Sequence, residues 1–308
     1  MHLYSDIDKH RPPKALDPRE RYNRVPGKDD RPGDVGERSQ GDSLVFFRGK
    51  CRVGVANCFE LRHKAYRFQY QTYEKLGIVR PDPDAIWLTI HDALPPTTTF
   101  IAADNLGKLA GTLTLVFDSA IGLPADSLYP SEMKAIRRDD AHHVCELISF
   151  GTSQDSRGSV KILAGLLYCS YLFAMHIRKV TDYVITVHQR LEKFYCSNLL
   201  FSRLGPVRNY DKVNGEPTVL LTLNLGLPER LRQSRRIFPL SLFSYSRADE
   251  LAIASRIDQS TAPLTSCEFT SLFRGATDVW RKATAAQKEY IRSIYAADLT
   301  APPASPHQ

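Results

Sequence analysis

Nothing in the 308 residues marks a disulfide framework or a metal centre. The six cysteines (Cys51, Cys58, Cys145, Cys169, Cys196, Cys267) form no CxxC pair, and none stands at zinc-ligand spacing with the nine histidines. They read as small buried hydrophobes, and no metal site is expected. No GxGxxG or GxxxxGK[ST] loop occurs, so dinucleotide and P-loop sites find no support, and no GxSxG elbow offers a nucleophilic serine. The amino terminus lacks the apolar run of a signal peptide, which points to a reducing, cytoplasmic setting. One long uncharged stretch exists, Ile162 to Ile177. As a helix it reaches roughly 24 Å, short of a hydrocarbon core of roughly 30 Å. A helix buried in a water-facing domain is expected there, not a transmembrane segment.

What is present is a chain long enough for a sizeable core, with 41 Lys and Arg against 34 Asp and Glu. The net charge of +7 suits an acidic partner without choosing among nucleic acid, anionic lipid and an acidic protein. Residues 1–43 are polar and rich in Pro, Arg and Asp, residues 301–308 are rich in Pro, and both segments are read as flexible. Residues 44–228 alternate between strand and helix patterns, and 229–300 form a partly helical extension that opens with a basic run from Arg230 to Arg236.

Within 44–228 the order is strand, helix, hairpin, strand, helix, strand, helix, hairpin, an α/β or α+β arrangement around one mixed sheet. Asn57 and Glu60 offer a capping box to a first helix that stops at Gly77, with Leu61, Ala65, Phe68, Thr72 and Leu76 on its apolar face. Asp104–Gly107 turns one hairpin and Asn214-Gly215 another.

Several segments, taken in order, resemble the GNAT-fold acyltransferases, and more narrowly the N-acyl amino acid synthases and the acyl-homoserine lactone synthases. Tyr66 to Gly77 is similar to their Tyr-x-x-Arg-Tyr-x-x-Tyr run ending in Gly, with Gln69 in place of Arg. Gly111 to Val116 resembles Gly-Thr-Leu-Arg-Leu-Val with Thr114 for Arg, and Glu146 to Phe150 resembles Glu-x-Ser-Arg-Phe with Ile148 and Ser149 at its centre. Ser156 to Val160 resembles the Arg-Gly-x-Gly turn that cradles pantetheine phosphates, Val160 replacing the second Gly, and His188 to Tyr195 resembles Asn-x-x-Ala-x-x-Phe-Tyr. The resemblance covers about Cys58 to Leu225.

It implies a central mixed sheet with splayed middle strands, and transfer of a fatty acyl group from an acyl carrier protein or acyl-CoA thioester to the α-amine of an amino acid. The thioester is a co-substrate, and no cofactor is tightly bound. The missing arginines argue against lactone synthesis. The degraded phosphate turn favours a carrier protein, whose pantetheine arm bears one phosphate, as donor; no nucleic-acid partner is expected. Glu146, inside the apolar strand Val144 to Phe150, is the candidate general base, because burial raises a carboxylic pKa toward the useful range. Tyr195 stands where such enzymes place the acid for the leaving thiolate, and His188 could relay a proton. Phe150, Gly151 and Thr152 at the splay, with Arg157, Gly158, Ser159 and Val160 at the following helix start, are the candidate acyl-pantetheine contacts. Tyr66, Tyr70, Tyr73 and His91 are candidates for the acceptor or acyl pocket; each aromatic can equally be plain core. Two rivals stay open: an acyl-CoA-dependent GNAT enzyme acting on another amine, and a non-catalytic GNAT-like basic binding module.

Overall fold

Two strands separated by a tight turn make a hairpin of the sheet: β3 (Thr98–Ala103), buried at every position, and β4 (Leu109–Phe117), where Thr and Leu alternate from Thr112 to Leu115. The computed structural model describes residues 45–47, 51–81, 85–104, 106–138, 142–153, 159–228, 246–275 and 277–300. Outside these lie the expected flexible segments, the basic run from Arg230, and the turns at Arg48–Lys50 and Asn105.

Among the described residues nine strands form one sheet. β1 (Val45–Phe47), β2 (Cys51–Val55), β3, β4 and β5 (Val144–Thr152) follow in order and pair antiparallel, and β5 then pairs parallel with β6 (Asp182–His188). β9 (Glu216–Asn224) is antiparallel to β6 and carries β7 (Ser202–Arg203) and β8 (Arg208–Tyr210). A parallel pair needs a crossover, supplied by α3 (Ser159–Leu172), which ends in a π-helical turn over Phe173–Ile177.

The β5–β6 pairing runs only from Val144↔Asp182 to Leu147↔Ile185. Beyond it β5 stays with β4 and β6 stays with β9, so the two middle strands part company. The expected splay is there. At its start β5 bulges: between Thr114↔Ile148 and Thr112↔Gly151 it has one residue more than β4, and Ser149 takes φ 50°. The extra residue reverses the alternation, so Glu146, Ile148 and Gly151 share one face of the sheet while Cys145, Leu147 and Phe150 share the other.

The apolar run Ile162–Ile177 lies under that second face. Leu166, Tyr168, Cys169, Leu172 and Phe173 are fully buried against Leu113, Leu115, Cys145 and Leu147. Gly111 permits the close approach: a Cβ there would stand 2.7 Å from Ile162 and 2.9 Å from Leu166. Among the described residues no helix is long and apolar enough to cross a membrane.

The first face carries α1 (Phe59–Lys75) and α2 (Pro130–Ile136). Here two expectations are corrected. Cys58 precedes α1 and no side chain caps it, so the Asn57–Glu60 box does not form. The buried strip is Arg62, Ala65, Tyr66, Gln69, Tyr70 and Thr72, because α1 packs between the sheet and the C-terminal helices and hides polar residues among apolar ones. Those helices are α6 (Ser266–Phe269), α7 (Val279–Lys282) and α8 (Ala285–Thr300), whereas α5 (Arg247–Ser260) packs on the other face, with Ile253, Ala254 and Ile257 in the α3-side core. Phe269 stacks on Tyr295 (4.5 Å) and Phe273 (5.2 Å) in a cluster that also takes Tyr66, Leu88 and Ile90.

Candidate active site

Glu146 is the third residue of β5 and only 2 % exposed. Its Oε2 accepts the Ala125 N–H at 2.7 Å, and no cation touches it among the described residues. Burial pushes its pKa up to about 8; the Ala125 N–H and the charges of Lys212 and Arg137 oppose that rise, and Asp126 adds to it. A carboxylate with that affinity matches an α-amine, whose own pKa is near 8. Asp126 and Arg137 complete the surroundings. Burial pushes the Asp126 carboxyl up, but both Arg137 terminal nitrogens at 2.6 Å and the Leu123 N–H outweigh it and hold Asp126 below the usual range. Arg137 also grips Asp118. Its charge is thus shared between two carboxylates.

The splay lies two residues further along β5. Phe150 turns toward the α3 side and packs on its cluster, and Thr152 is buried. Gly151 faces α1, where a Cβ would stand 3.0 Å from Gln69 Oε1 and 3.3 Å from Thr72. On that side the missing side chain makes room for Gln69 rather than for a substrate arm. Gln69 is 1 % exposed; Thr112 Oγ1 lies 2.8 Å from its Oε1 and 3.1 Å from the Ser149 carbonyl, and the Gln69 Nε2 has no partner. Thr186, just past the last β5–β6 pair, likewise keeps a buried Oγ1 without a partner. Ser159 and Val160 form the first turn of α3, while Arg157 and Gly158 lie outside the described residues.

The other candidates are dispersed. His91, on the 3-10 helix Ile90–Ala93, is 5 % exposed, and neither ring nitrogen meets a partner in hydrogen-bond geometry. Burial lowers its pKa to about 4, and the Lys212 charge lowers it further, against Asp126 and the Ile121 carbonyl. The ring is neutral at pH 7. Because Asp126 and Lys212 act on both His91 and Glu146, these two belong to one neighbourhood. His188 has both nitrogens engaged: Nδ1 accepts the Arg190 N–H at 3.0 Å and Nε2 faces Glu216 at 3.0 Å. Tyr195, on α4 (Glu192–Leu199), sits in the α3-side core, edge-on to Phe194 and Phe201. Tyr66 lines a cavity of about 20 Å³ with Asp92 and Arg62, room for one water and no substrate. The Tyr70 hydroxyl donates to the Arg80 carbonyl, and Tyr73 packs edge-on to Trp87 at 4.8 Å. Among the described residues no group of His, Cys, Asp and Glu is placed to hold a metal ion.

Asp126, Arg137, Lys212 and Thr186 are not among the residues expected from sequence, and Gln69 reads there only as a lost arginine. No local pattern singles them out. They come together through loops and hairpins distant in the chain.

A mixed sheet whose parallel central strands splay beside a buried carboxylate defines a GNAT-type acyltransferase. Residues 64–224, just over half of the chain, match the family model described as N-acyl amino acid synthase FeeM, and the chain belongs to that family. It is an enzyme that transfers an acyl group to an amine. No curated protein matches it. Among solved structures it is similar to FeeM, an N-acyl amino acid synthase from uncultured soil microbes, at 24 % identity over 57 % of this chain and 91 % of that one, with a TM-score of 0.49. It is also similar to MesI, a CoA-dependent acyl-homoserine lactone synthase (17 %, 62 % and 96 %, TM-score 0.43). A third is a GNAT-family acetyltransferase from Streptococcus pneumoniae (15 %, 56 % and 98 %, TM-score 0.40).

Proposed function

We propose that the enzyme joins a fatty acyl group, delivered as a thioester on an acyl carrier protein, to the α-amine of an amino acid. The observation that carries this reading is Glu146, a buried carboxyl with pKa near 8 at the mouth of the splay. The amine nitrogen attacks the thioester carbonyl carbon, and Glu146 takes a proton from that nitrogen as the tetrahedral centre forms. Backbone N–H groups along Phe150–Thr152 receive the carbonyl oxygen as it gains charge. The C–S bond then breaks, and the thiolate leaves with a proton. Tyr195 and His188 are the candidate donors for that proton, and both ring nitrogens of His188 are engaged, with Arg190 and Glu216. Carrier protein is favoured over coenzyme A because Val160 stands where the phosphate turn would have a second glycine. A single phosphate asks less of that turn.

Mass spectrometry of lipids from cells expressing the full chain tests the reading, since one mass gives both acyl length and head group. New N-acyl amino acids support it. Acylated amines without a carboxylate, or no new acyl amide from folded protein, contradict it.

A further inference from the structure

Residues 118–126 join the end of β4 to the turn that meets Glu146, and their hydrogen bonds leave one amide over. The Asp118 N–H donates to the Val144 carbonyl at 3.4 Å, two residues before Glu146 on β5. The chain then passes through Gly122, at φ 69°, into the 3-10 helix Pro124–Ser127. Pro124 has no N–H to offer. The Leu123 N–H donates to Asp126 Oδ2 at 2.7 Å, and the Asp126 N–H to the Leu123 carbonyl at 3.0 Å. The Ala125 N–H remains, and it donates to Glu146 Oε2 at 2.7 Å. Glu146 Oε1 makes no hydrogen bond among the described residues.

Two forks from one side chain fix this turn. Arg137 follows α2, and its Nη1 and Nη2 each lie 2.6 Å from an oxygen of Asp126. Its Nε and Nη2 reach the two oxygens of Asp118, Nη2 at 3.0 Å. One guanidinium therefore ties both ends of 118–126 to α2. That helix is itself anchored: Met133 is fully buried among Val116, Val144 and Val184, in the cluster that also takes Leu123 and Ala125. Glu132 accepts Arg208 from β8 at 2.8 and 3.2 Å. A lysine, with three donors on one atom, cannot form two planar forks. The charged groups acting on Glu146 are Asp126, Arg137 and Lys212, and Cys145 is its titratable neighbour on the strand.

Building on the reading that Glu146 takes the amine's proton, we propose that Arg137 is a positioning residue for that step. Its double fork to Asp126 and Asp118 holds the turn so that the Ala125 N–H fixes one oxygen of Glu146 and leaves the other to the amine.

Asp126→Asn separates position from charge, because the two act with opposite sign. By its field alone, loss of a negative charge should ease ionisation of Glu146. By position, loss of a fork should free the turn, weaken the Ala125 bond to the charged carboxylate and make ionisation harder. NMR of the full-length protein with isotope-labelled glutamate reads the Glu146 carboxyl without any substrate, the signal being assigned by its absence from Glu146→Gln. In Asp126→Asn and Arg137→Lys its midpoint should rise by about one pH unit, the order of one hydrogen bond to a charged group. Turnover near neutrality should fall about tenfold in both, with KM for a fatty acyl pantetheine thioester near wild type and the alkaline plateau retained. Arg137→Lys, which keeps every charge, decides should Asp126→Asn not fold. A midpoint that falls or stays in place in Asp126→Asn, or an Arg137→Lys enzyme that matches wild type, overturns the role of Arg137 alone. Normal turnover in Glu146→Gln overturns the reading beneath it.

Discussion

Glu146 holds its proton well into the neutral range because water cannot reach the charge that would otherwise form. The same burial moves its neighbours by their own signs: His91 falls to about 4 and Asp92 rises to about 6, so each of the three resists becoming charged. For stability the consequence is directional. The folded pKa of Glu146, about 8, lies above its ordinary 4.5, so the folded state binds the proton more tightly. That stabilisation is whole below pH 4.5 and is lost as pH climbs through 8. Glu146→Gln cannot ionise and escapes the loss. Thermal melts should show the variant's Tm gaining on wild type from about pH 4.5 to about pH 8 and then running level with it. An offset that stays constant over that range would mean the carboxyl is not held protonated by the fold.

At the scale of the element, the bulge in β5 sets which groups face the splay. Ser149 adopts φ 50°, a left-handed conformation that costs a side-chain-bearing residue roughly 1–2 kcal/mol. The hydrogen-bonding reach of Thr112 to the Ser149 carbonyl helps to hold it there. A β-branched residue tolerates this conformation least. Ser149→Val should lower stability by about 1–2 kcal/mol in a denaturant melt and reduce kcat, by turning Gly151 out of register, whereas Ser149→Gly should fold normally. A valine variant with wild-type stability and turnover would show the bulge to be dispensable. The sequence could not announce this feature. Val144, Glu146 and Ile148 alternate as any strand does, and serine is no marker of positive φ. The hairpins at Asp104–Gly107 and Asn214-Gly215 were legible because there the turn residues themselves carry the signal, Gly107 and Gly215 having φ of 79° and 73°.

For the whole molecule, strand order, crossover helix and splay could be read from local patterns and from the resemblance they carry. The gathering of the site could not. Glu146 stood out as an acid in an apolar strand, but the N–H that it meets belongs to Ala125, in the 3-10 turn Pro124–Ser127, a contact that no short-range period encodes. The C-terminal helices are similar. Their composition suggests little, yet Tyr295 donates to the Ala93 carbonyl at 2.6 Å and Glu268 pairs with Arg62 at 3.2 Å, so residues far outside the matched family region brace the segment that holds His91 and the first half of α1.

Proton transfer to Glu146 is the central step of the proposed reaction, and kcat against pH for wild type and Glu146→Gln examines it most directly. Wild-type turnover should rise toward a plateau as pH passes about 8, where the carboxyl ionises. The Gln variant should turn over roughly two to four orders of magnitude more slowly near neutrality, with the gap narrowing in alkali as the amine loses its proton unaided. A folded variant that stays within about threefold of wild type throughout, a barrier change of only about 0.65 kcal/mol, would contradict it.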